Sequence, residues 1–161
     1  MDGQWFQYSR KQGISHAECE KLVAPEISKG GNFSYDKKGG FYSTTTVYGY
    51  IKRSNVPESY KCLLGILNSN LFWWYLTNTG TILANAYFRF KPDYMKPFPI
   101  PANIAKDIEQ DIVKYVDKII GSKSNNSSQL TSIDEEKINE IVYSLYDLTD
   151  EEIKLIKSTT I

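Results

Sequence analysis

The sequence contains 161 residues, of which 41% are hydrophobic and 24% are charged, and its formal net charge is zero. This length and composition exclude a disordered tail and are typical of one domain with a modest extension. The most apolar run, residues 62–76, is too short and too interrupted to span a membrane, and the N-terminus lacks a secretory pattern. We therefore expect a cytoplasmic protein without membrane contact, in which Cys19 and Cys62 are reduced thiols.

Charged and aromatic residues are divided unevenly along the chain. Residues 1–101 carry 12 Lys and Arg against 7 Asp and Glu, a net charge of +5, and they contain 19 of the 22 aromatic residues. Residues 102–161 carry 7 basic against 12 acidic residues, a net charge of −5. Such an asymmetry is a recognised hint of nucleic-acid contact, although a solvated surface can carry the same charge.

The first third of the chain is predicted to form strands and turns. Residues 21–24 precede Pro25, which favours a short or edge strand. Residues 32–35 alternate polar and aromatic side chains, and residues 41–52 are rich in strand-forming Tyr, Thr and Val. The segment 36–40 between them is a strong turn signal, so the pattern predicts a β-hairpin with a basic tip.

The middle of the chain is predicted to form two helices and a short strand. Pro57 fits the first position of a helix with leucines at helical spacing. The step at 68–70, Asn-Ser-Asn, predicts the end of that helix and the cap of the next. Residues 87–90 are a strand candidate, and three prolines at 97–101 mark the exit from the body.

The tail after residue 101 is predicted to be helical. Apolar residues step by four over 104–120 and form one stripe, which Gly121 can end. Capping-box patterns at 132–135 and 149–152 predict the starts of two further helices. The expected fold class is α+β, with a twisted, mostly antiparallel sheet packed on helices and followed by a C-terminal helical extension. The expected division is a body over residues 1–101 and a tail over 102–161 that packs on the body or on a neighbouring domain.

Motifs for catalysis are missing from the sequence. Gly30-Gly31 and Gly39-Gly40 lack the spaced glycines of a phosphate-binding loop, and the Asn-Pro-Pro-Tyr loop of adenine methyltransferases is absent. His16 is the only histidine, and the few His and Cys residues do not suffice for a closed zinc site. We therefore expect no catalytic, cofactor-binding or metal-binding residues in this chain.

Binding chemistry remains, in the form of basic, amide and hydroxyl side chains among tyrosines. Lys and Arg can contact phosphates, whereas Asn and Arg can read base edges in the major groove. A two-stranded β-ribbon is narrow enough to enter that groove, so the predicted hairpin is the candidate reading element. The candidate DNA-binding residues are Lys29, Asn32, Tyr35, Lys37, Lys38, Tyr42, Thr44, Thr46, Lys52, Arg53, Arg89 and Lys91.

The order of these segments resembles a known family, the TaqI-like C-terminal specificity domain. The likeness is carried by an opening aromatic segment, a first strand, a predicted hairpin, a helix junction and a closing strand, and the helical ending resembles that of the methyltransferases in which this domain occurs. These are residues 5–12 (WFQYSRKQ), 21–27 (KLVAPEI), 33–36 (FSYD) with 40–42 (GFY), 64–71 (LGILNSNL), 88–90 (FRF) with 98–101 (FPIP), and 138–153 (INEIVYSLYDLTDEEI).

The resemblance implies a specificity module of a restriction–modification N6-adenine DNA methyltransferase that recognises double-stranded DNA and is not itself an enzyme. It also implies that S-adenosylmethionine binds to a separate catalytic domain, in cis or in trans, which we expect to lie outside this chain. Two alternatives stay open at this point: a stand-alone specificity subunit that assembles with a methyltransferase, and a module that binds carbohydrate or protein through its aromatic residues.

Overall fold

The structure is a computed structural model that describes residues 14–43, 46–83, 85, 87–124 and 131–159. Strands and short helices alternate in the first part of these residues, and long helices follow. In chain order the elements are α1 (Ile14–Ala17), β1 (Lys21–Pro25), β2 (Ile27–Ser28), β3 (Ser34–Asp36), β4 (Val47–Tyr50), α2 (Tyr60–Leu67), α3 (Asn70–Thr79), β5 (Phe88–Arg89), α4 (Pro92–Met95), α5 (Lys106–Ser124), α6 (Ser132–Leu145) and α7 (Asp150–Thr159).

The main sheet has three antiparallel-paired strands in the order β3-β1-β4. Leu22 of β1 lies opposite Tyr35 on one side and Tyr50 on the other. The predicted hairpin over 32–52 is therefore wrong, because β3 and β4 do not pair with each other. Alternation of polar and aromatic residues identifies a strand but does not identify its partner, and β1 takes the place between the two.

Strand β1 was predicted to be short or to lie at an edge; it is short, with five residues, but it is central, so the edge alternative is wrong. Leu22 and Ala24 are only 2% and 1% exposed, and Lys21 beside them is 4% exposed. Pro25 ends the strand and therefore leaves the preceding ladder intact. The strand can be central because the one charge that it buries has a partner, which is described below.

A second, two-stranded sheet joins β2 to β5, with Ile27 opposite Arg89 and Ser28 opposite Phe88. The strand predicted over 87–90 is thereby confirmed in its centre. Ser28 and Phe88 are buried, whereas Ile27 is exposed, so this small sheet has one covered and one open face.

The junction between α2 and α3 follows its local sequence signals. Asn68 is the C-cap of α2, and Ser69 is the N-cap of α3, with its hydroxyl accepting a hydrogen bond from the Phe72 N–H. The helix predicted from Pro57 begins instead at Tyr60, because the Ser59 side chain provides the cap by accepting from the Cys62 N–H.

The side chain of Asn68 also fastens the junction to the chain segment that leads into β3. Its Oδ1 accepts from the Phe33 N–H at 3.0 Å, and its Nδ2 donates to the Phe33 carbonyl at 3.1 Å. A Cβ on Gly31 would lie 3.0 Å from the Asn68 Cα, so a small residue is needed at that position. The segments 33–36 and 64–71, which were singled out in the sequence, are thus hydrogen-bonded to each other through Asn68 and Phe33.

The helices of the tail pack on the body. Helix α5 contacts α2, α6 contacts both α3 and α5, and α7 contacts α3. Asn139 of α6 is buried, and its Oδ1 accepts from the Asn70 N–H at 2.8 Å, which satisfies a free donor in the first turn of α3. The α+β class with a helical C-terminal region is confirmed, whereas the domain boundary at residue 101 stays a prediction.

The ends of the tail helices agree with the sequence in part. Helix α5 does not end at Gly121, as predicted, but continues to Ser124. Glycine lowers the stability of a helix, but it can adopt helical backbone angles. The cap of α6 is Thr131, one residue before the predicted Ser132. The capping box at α7 is confirmed: the Thr149 N–H donates to Glu152 at 2.8 Å, and Glu152 N–H donates back to the Thr149 hydroxyl at 3.4 Å.

One hydrophobic core runs through the sheet, α2, α3 and the tail. Its centre is aromatic, with Phe33 within 5.8 Å, centroid to centroid, of both Phe72 and Phe90, and with Phe72 edge-on to Phe98 at 5.0 Å. No helix in the described part of the chain is long and apolar enough to cross a membrane.

Candidate nucleic-acid interface

The loop between β3 and β4 begins with a tightly organised turn, and we call residues 36–43 the tip loop. The Asp36 carboxylate accepts from the Gly40 N–H at 3.1 Å and from the Phe41 N–H at 2.9 Å. It also receives the Lys21 ammonium at 2.5 Å. One carboxylate therefore ties the tip loop both to itself and to the central strand.

The ion pair beneath the tip loop is largely removed from water. The Lys21 side chain is 4% exposed and that of Asp36 is 14% exposed, and the ammonium also donates to the Ala17 carbonyl at 2.5 Å. The hydrogen bond from Lys21, followed by that from the Phe41 N–H, lowers the pKa of Asp36 from 3.8 to about 2. The carboxylate is thus ionised at any physiological pH, and the burial of Lys21 depends on it.

Close contact with the segment before β1 fixes the tip loop further. Gly39 has φ of +63°, and a Cβ at this position would collide with the Glu18 carbonyl group. The Tyr42 hydroxyl donates to Glu18 Oε1 at 2.8 Å, and this hydrogen bond raises the pKa of the phenol. The loop therefore presents its side chains from a backbone that is held at several points.

Lys37 and Lys38 lie exposed on this loop. Within the residues that the structure describes, neither lysine forms an ion pair. Phe41 and Tyr42 follow them and are 46% and 58% exposed. Cations on a rigid loop beside exposed aromatic rings can contact a polyanion with little loss of conformational entropy.

Three further candidates, Lys29, Arg89 and Lys91, lie on or next to the small sheet. Lys29 directly follows β2 and is exposed, and Arg89 lies in β5 opposite the exposed Ile27. Arg89 Nε is buried and has no hydrogen-bond partner among the described residues. Lys91 follows β5 and is half-buried at the start of α4.

Asn32 is exposed but already uses its amide nitrogen within its own turn. Its Nδ2 donates to the Ser28 hydroxyl and, at 3.2 Å, to the Lys29 carbonyl. Its role in reading a base stays a prediction, and the geometry gives it a local structural function as well.

The structure gives Lys52 and Tyr35 packing functions. Lys52 Nζ donates to the Val56 carbonyl at 3.1 Å and to the Glu58 carbonyl at 2.9 Å, and it lies 5.7 Å from the centre of the Tyr60 ring. The Tyr35 ring stacks on Tyr60 at 6.0 Å, and its hydroxyl donates to Glu20. Neither side chain is as free to contact DNA as those of the tip loop.

The remaining candidates are less informative. Arg53 is exposed in the loop after β4, and its carbonyl accepts from the Val56 N–H at 3.0 Å. Thr46 is exposed, and its carbonyl accepts from the Glu26 N–H at 2.8 Å. Thr44 lies outside the described residues.

A cleft of about 760 Å³ lies between the segment 31–37, the α2–α3 junction and helices α5 and α6. Its carboxylates are paired: Asp117 with Lys61 at 2.5 Å, and Glu135 with Lys123 at 3.6 Å. In the described part of the chain, no three His, Cys, Asp or Glu side chains lie together as a metal site would require. The cleft therefore lacks the converging free carboxylates that a hydrolytic site would need.

Sequence reasoning missed the residues that position the tip loop. Lys21 was treated only as part of a strand, and Asp36 and Gly39 only as turn residues. An Asp at the start of a turn followed by glycines is a signal for hydrogen bonds to its own loop backbone, and it could have identified Asp36. No local signal connects Lys21 to Asp36, which is 15 residues away.

The site thus combines a basic loop anchored by hydrogen bonds with a small sheet that has one open face. A family model described as the TaqI-like C-terminal specificity domain matches residues 3–100. This match covers more than half of the chain, so the chain belongs to the TaqI-like C-terminal specificity domain family. The resemblance inferred from the sequence is confirmed over residues 3–100, whereas the likeness of residues 138–153 lies outside the match and stays a prediction. The chain is a specificity domain for target recognition in restriction–modification. The opening segment 5–12 falls within the match but outside the described residues.

Proposed function

We propose that the chain recognises a specific sequence in double-stranded DNA as the specificity module of a restriction–modification N6-adenine methyltransferase. The observation that carries this proposal is the family match over residues 3–100, which includes the whole tip loop and the small sheet. In this proposal the module is not a catalyst. A methyltransferase domain, in cis or in trans, binds S-adenosylmethionine and methylates the target base.

Contacts are divided between two regions of the surface. Lys37 and Lys38 lie on a fixed loop and supply phosphate contacts, which set the position of the duplex without reading its sequence. Arg89 has the chemistry to read guanine through two parallel hydrogen bonds and is the leading candidate for base recognition. Its buried Nε has no hydrogen-bond partner among the described residues.

Two observations favour DNA as the ligand over the alternatives, a carbohydrate or a protein bound by the aromatic side chains of this chain. A carbohydrate platform is expected to expose flat aromatic rings without flanking cations. Here Phe41 and Tyr42 share the tip loop with two lysines that form no ion pair with any residue that the structure describes, and Lys29 continues the positive charge on the small sheet. The net charge of +5 over residues 1–101 points in the same direction.

The double variant Lys37→Glu/Lys38→Glu tests the proposal. We expect it to bind a pool of random-sequence duplex DNA about tenfold more weakly than the wild type, because two phosphate contacts become repulsive. The slope of log affinity against log salt should fall by about two, since each lost phosphate contact removes about 0.9. Fluorescence anisotropy at two or more salt concentrations measures both quantities.

A matched control reverses two lysines of the tail, Lys106→Glu/Lys154→Glu. Both lysines are exposed, and neither forms an ion pair within the described residues. This variant changes the net charge equally, so it should leave affinity and slope near the wild-type values. Equal losses from both double variants would mean that only net charge matters, and salt-independent binding by the wild type would contradict the proposal.

A further inference from the structure

One phenylalanine differs from the others in its surroundings. Phe41 is 46% exposed, whereas the other described phenylalanines are at most 7% exposed. The buried ones are Phe33, Phe72, Phe88, Phe90 and Phe98. Leaving this ring in water forgoes the free energy that the burial of a phenyl group provides. A single exposed apolar residue is ordinary on a protein surface, so the inference depends on where this ring lies: on an anchored loop beside two exposed lysines.

The backbone that carries Phe41 is held firmly while the ring itself is uncovered. Its N–H donates to the Asp36 carboxylate at 2.9 Å, and Asp36 is fixed in turn by the buried Lys21. The neighbouring Tyr42 ring is tethered through its hydroxyl to Glu18. Among the described residues, Phe41 is thus the aromatic side chain of the tip loop that is largely exposed and has no polar group to tether it.

We propose that Phe41 is a wedge that inserts between adjacent base pairs when the tip loop contacts DNA. This inference rests on the proposed function and adds a mechanism to it. Apolar side chains inserted at a base step partly unstack the pairs and bend the duplex, and basic residues beside them hold the flanking phosphates. Lys37 and Lys38 are four and three residues from Phe41 on the same short loop, which supplies both parts of such a device.

Rigidity is essential to this mechanism. The backbone at Phe41 is already held by hydrogen bonds, so less conformational entropy is lost when the ring inserts than from an unanchored loop. The anchoring through Asp36, Gly39 and Tyr42 provides this preorganisation. Two residues then contribute separately to specificity. Arg89 reads a base directly, whereas Phe41 favours base steps at which the duplex is easily deformed.

The experiment compares two pools of random-sequence duplex, one intact and one with a central single-nucleotide gap. Stacking is already interrupted at a gap, so a wedge binds there without unstacking an intact step. The wild type should prefer the gapped pool on the order of tenfold. Phe41→Ala should abolish this preference without changing the salt slope, and Phe41→Leu should retain part of it.

The control is Ile133→Ala, which removes a 73% exposed apolar side chain from α6 and should preserve the preference. Equal binding of the two pools by the wild type would overturn the wedge, as would a Phe41→Ala variant that keeps the wild-type preference. Absence of binding to either pool would instead overturn the proposed function. The two failures are therefore distinguishable in the same titration.

Discussion

The substitution Asp36→Asn is expected to destabilise the protein by about 3 to 5 kcal/mol, the usual result of leaving one member of a buried ion pair without its partner. The amide can still accept from the Gly40 and Phe41 N–H groups, but it offers Lys21 no negative charge. The Lys21 ammonium would remain 4% exposed beside neutral carbonyls alone. Urea unfolding followed by circular dichroism measures the loss.

The double variant Lys21→Met/Asp36→Asn separates the contribution of the ion pair to stability from that of the hydrogen bonds within the turn. Replacing the ammonium with an apolar side chain removes the unpaired charge, so the double variant should be more stable than Asp36→Asn alone. An Asp36→Asn variant that loses less than 1 kcal/mol would show that the pair behaves like an ordinary surface salt bridge. That result would also remove the argument for a rigid tip loop.

The same pair makes a specific contribution to acid sensitivity. Because the pKa of Asp36 falls from 3.8 to about 2 on folding, the folded state holds this carboxylate ionised more strongly than the unfolded state does. Its stabilising contribution is complete above about pH 5 and is lost as the pH falls toward 2. The stability difference between the wild type and Asp36→Asn should therefore narrow over that interval.

The substitution Gly65→Leu is expected to destabilise the protein by about 3 kcal/mol or more, at the upper end for overpacking a filled core. A Cβ at residue 65 would lie 2.6 Å from Ile112 Cγ2 and 3.3 Å from Val116 Cγ2. Both side chains are almost fully buried in α5 and cannot move aside freely. The leucine should push α5 away from α2, which urea unfolding and limited proteolysis of the tail would detect.

The control for this variant is Gly121→Leu in α5, the tail helix that packs on α2. Gly121 also lies within a helix, but apart from its own helix backbone no atom of the described residues lies within 4 Å of a Cβ built there. Removing a helical glycine from an open position should stabilise the protein by up to about 1 kcal/mol. Opposite signs at the two positions are expected, and equal effects would contradict the close packing of α5 on α2.

Local signals predicted the helical part of the fold well. The caps at Asn68 and Ser69 and the capping box at Thr149 and Glu152 depend on residues within four positions of each other, and all of them form. The apolar stripe over 104–120 likewise identified α5. Such features could be predicted because the interactions that stabilise them join residues within one or two helical turns.

Strand pairing could not be read in the same way. The segments that form β3 and β4 were identified as strands, but their common partner β1 depends on contacts between residues far apart in sequence. Lys21 lies opposite Asp36, and Pro25 lies opposite Val47. Nothing within any one segment favours this arrangement over a hairpin, because alternation specifies a face and leaves the neighbour open.

The candidate site was predicted in its composition better than in its geometry. Exposed lysines at 37 and 38 followed from turn chemistry, whereas the use of Lys52 as an internal donor to two carbonyls did not. A lysine that folds back onto its own loop has the same sequence signature as one that faces solvent. The exposure of Phe41 was equally hidden, since an aromatic residue next to a strand is ordinarily expected in the core.

Sequence-specific recognition of DNA can be tested by repeated selection from a random-sequence duplex pool. The bound fraction is sequenced after each round. We expect the wild type to enrich one short motif and Arg89→Ala to lose enrichment at one or two positions of that motif. Lys37→Glu/Lys38→Glu should weaken retention of all sequences alike. If the protein retains DNA but the bound pool has the same sequence composition as the input pool, sequence-specific recognition is contradicted.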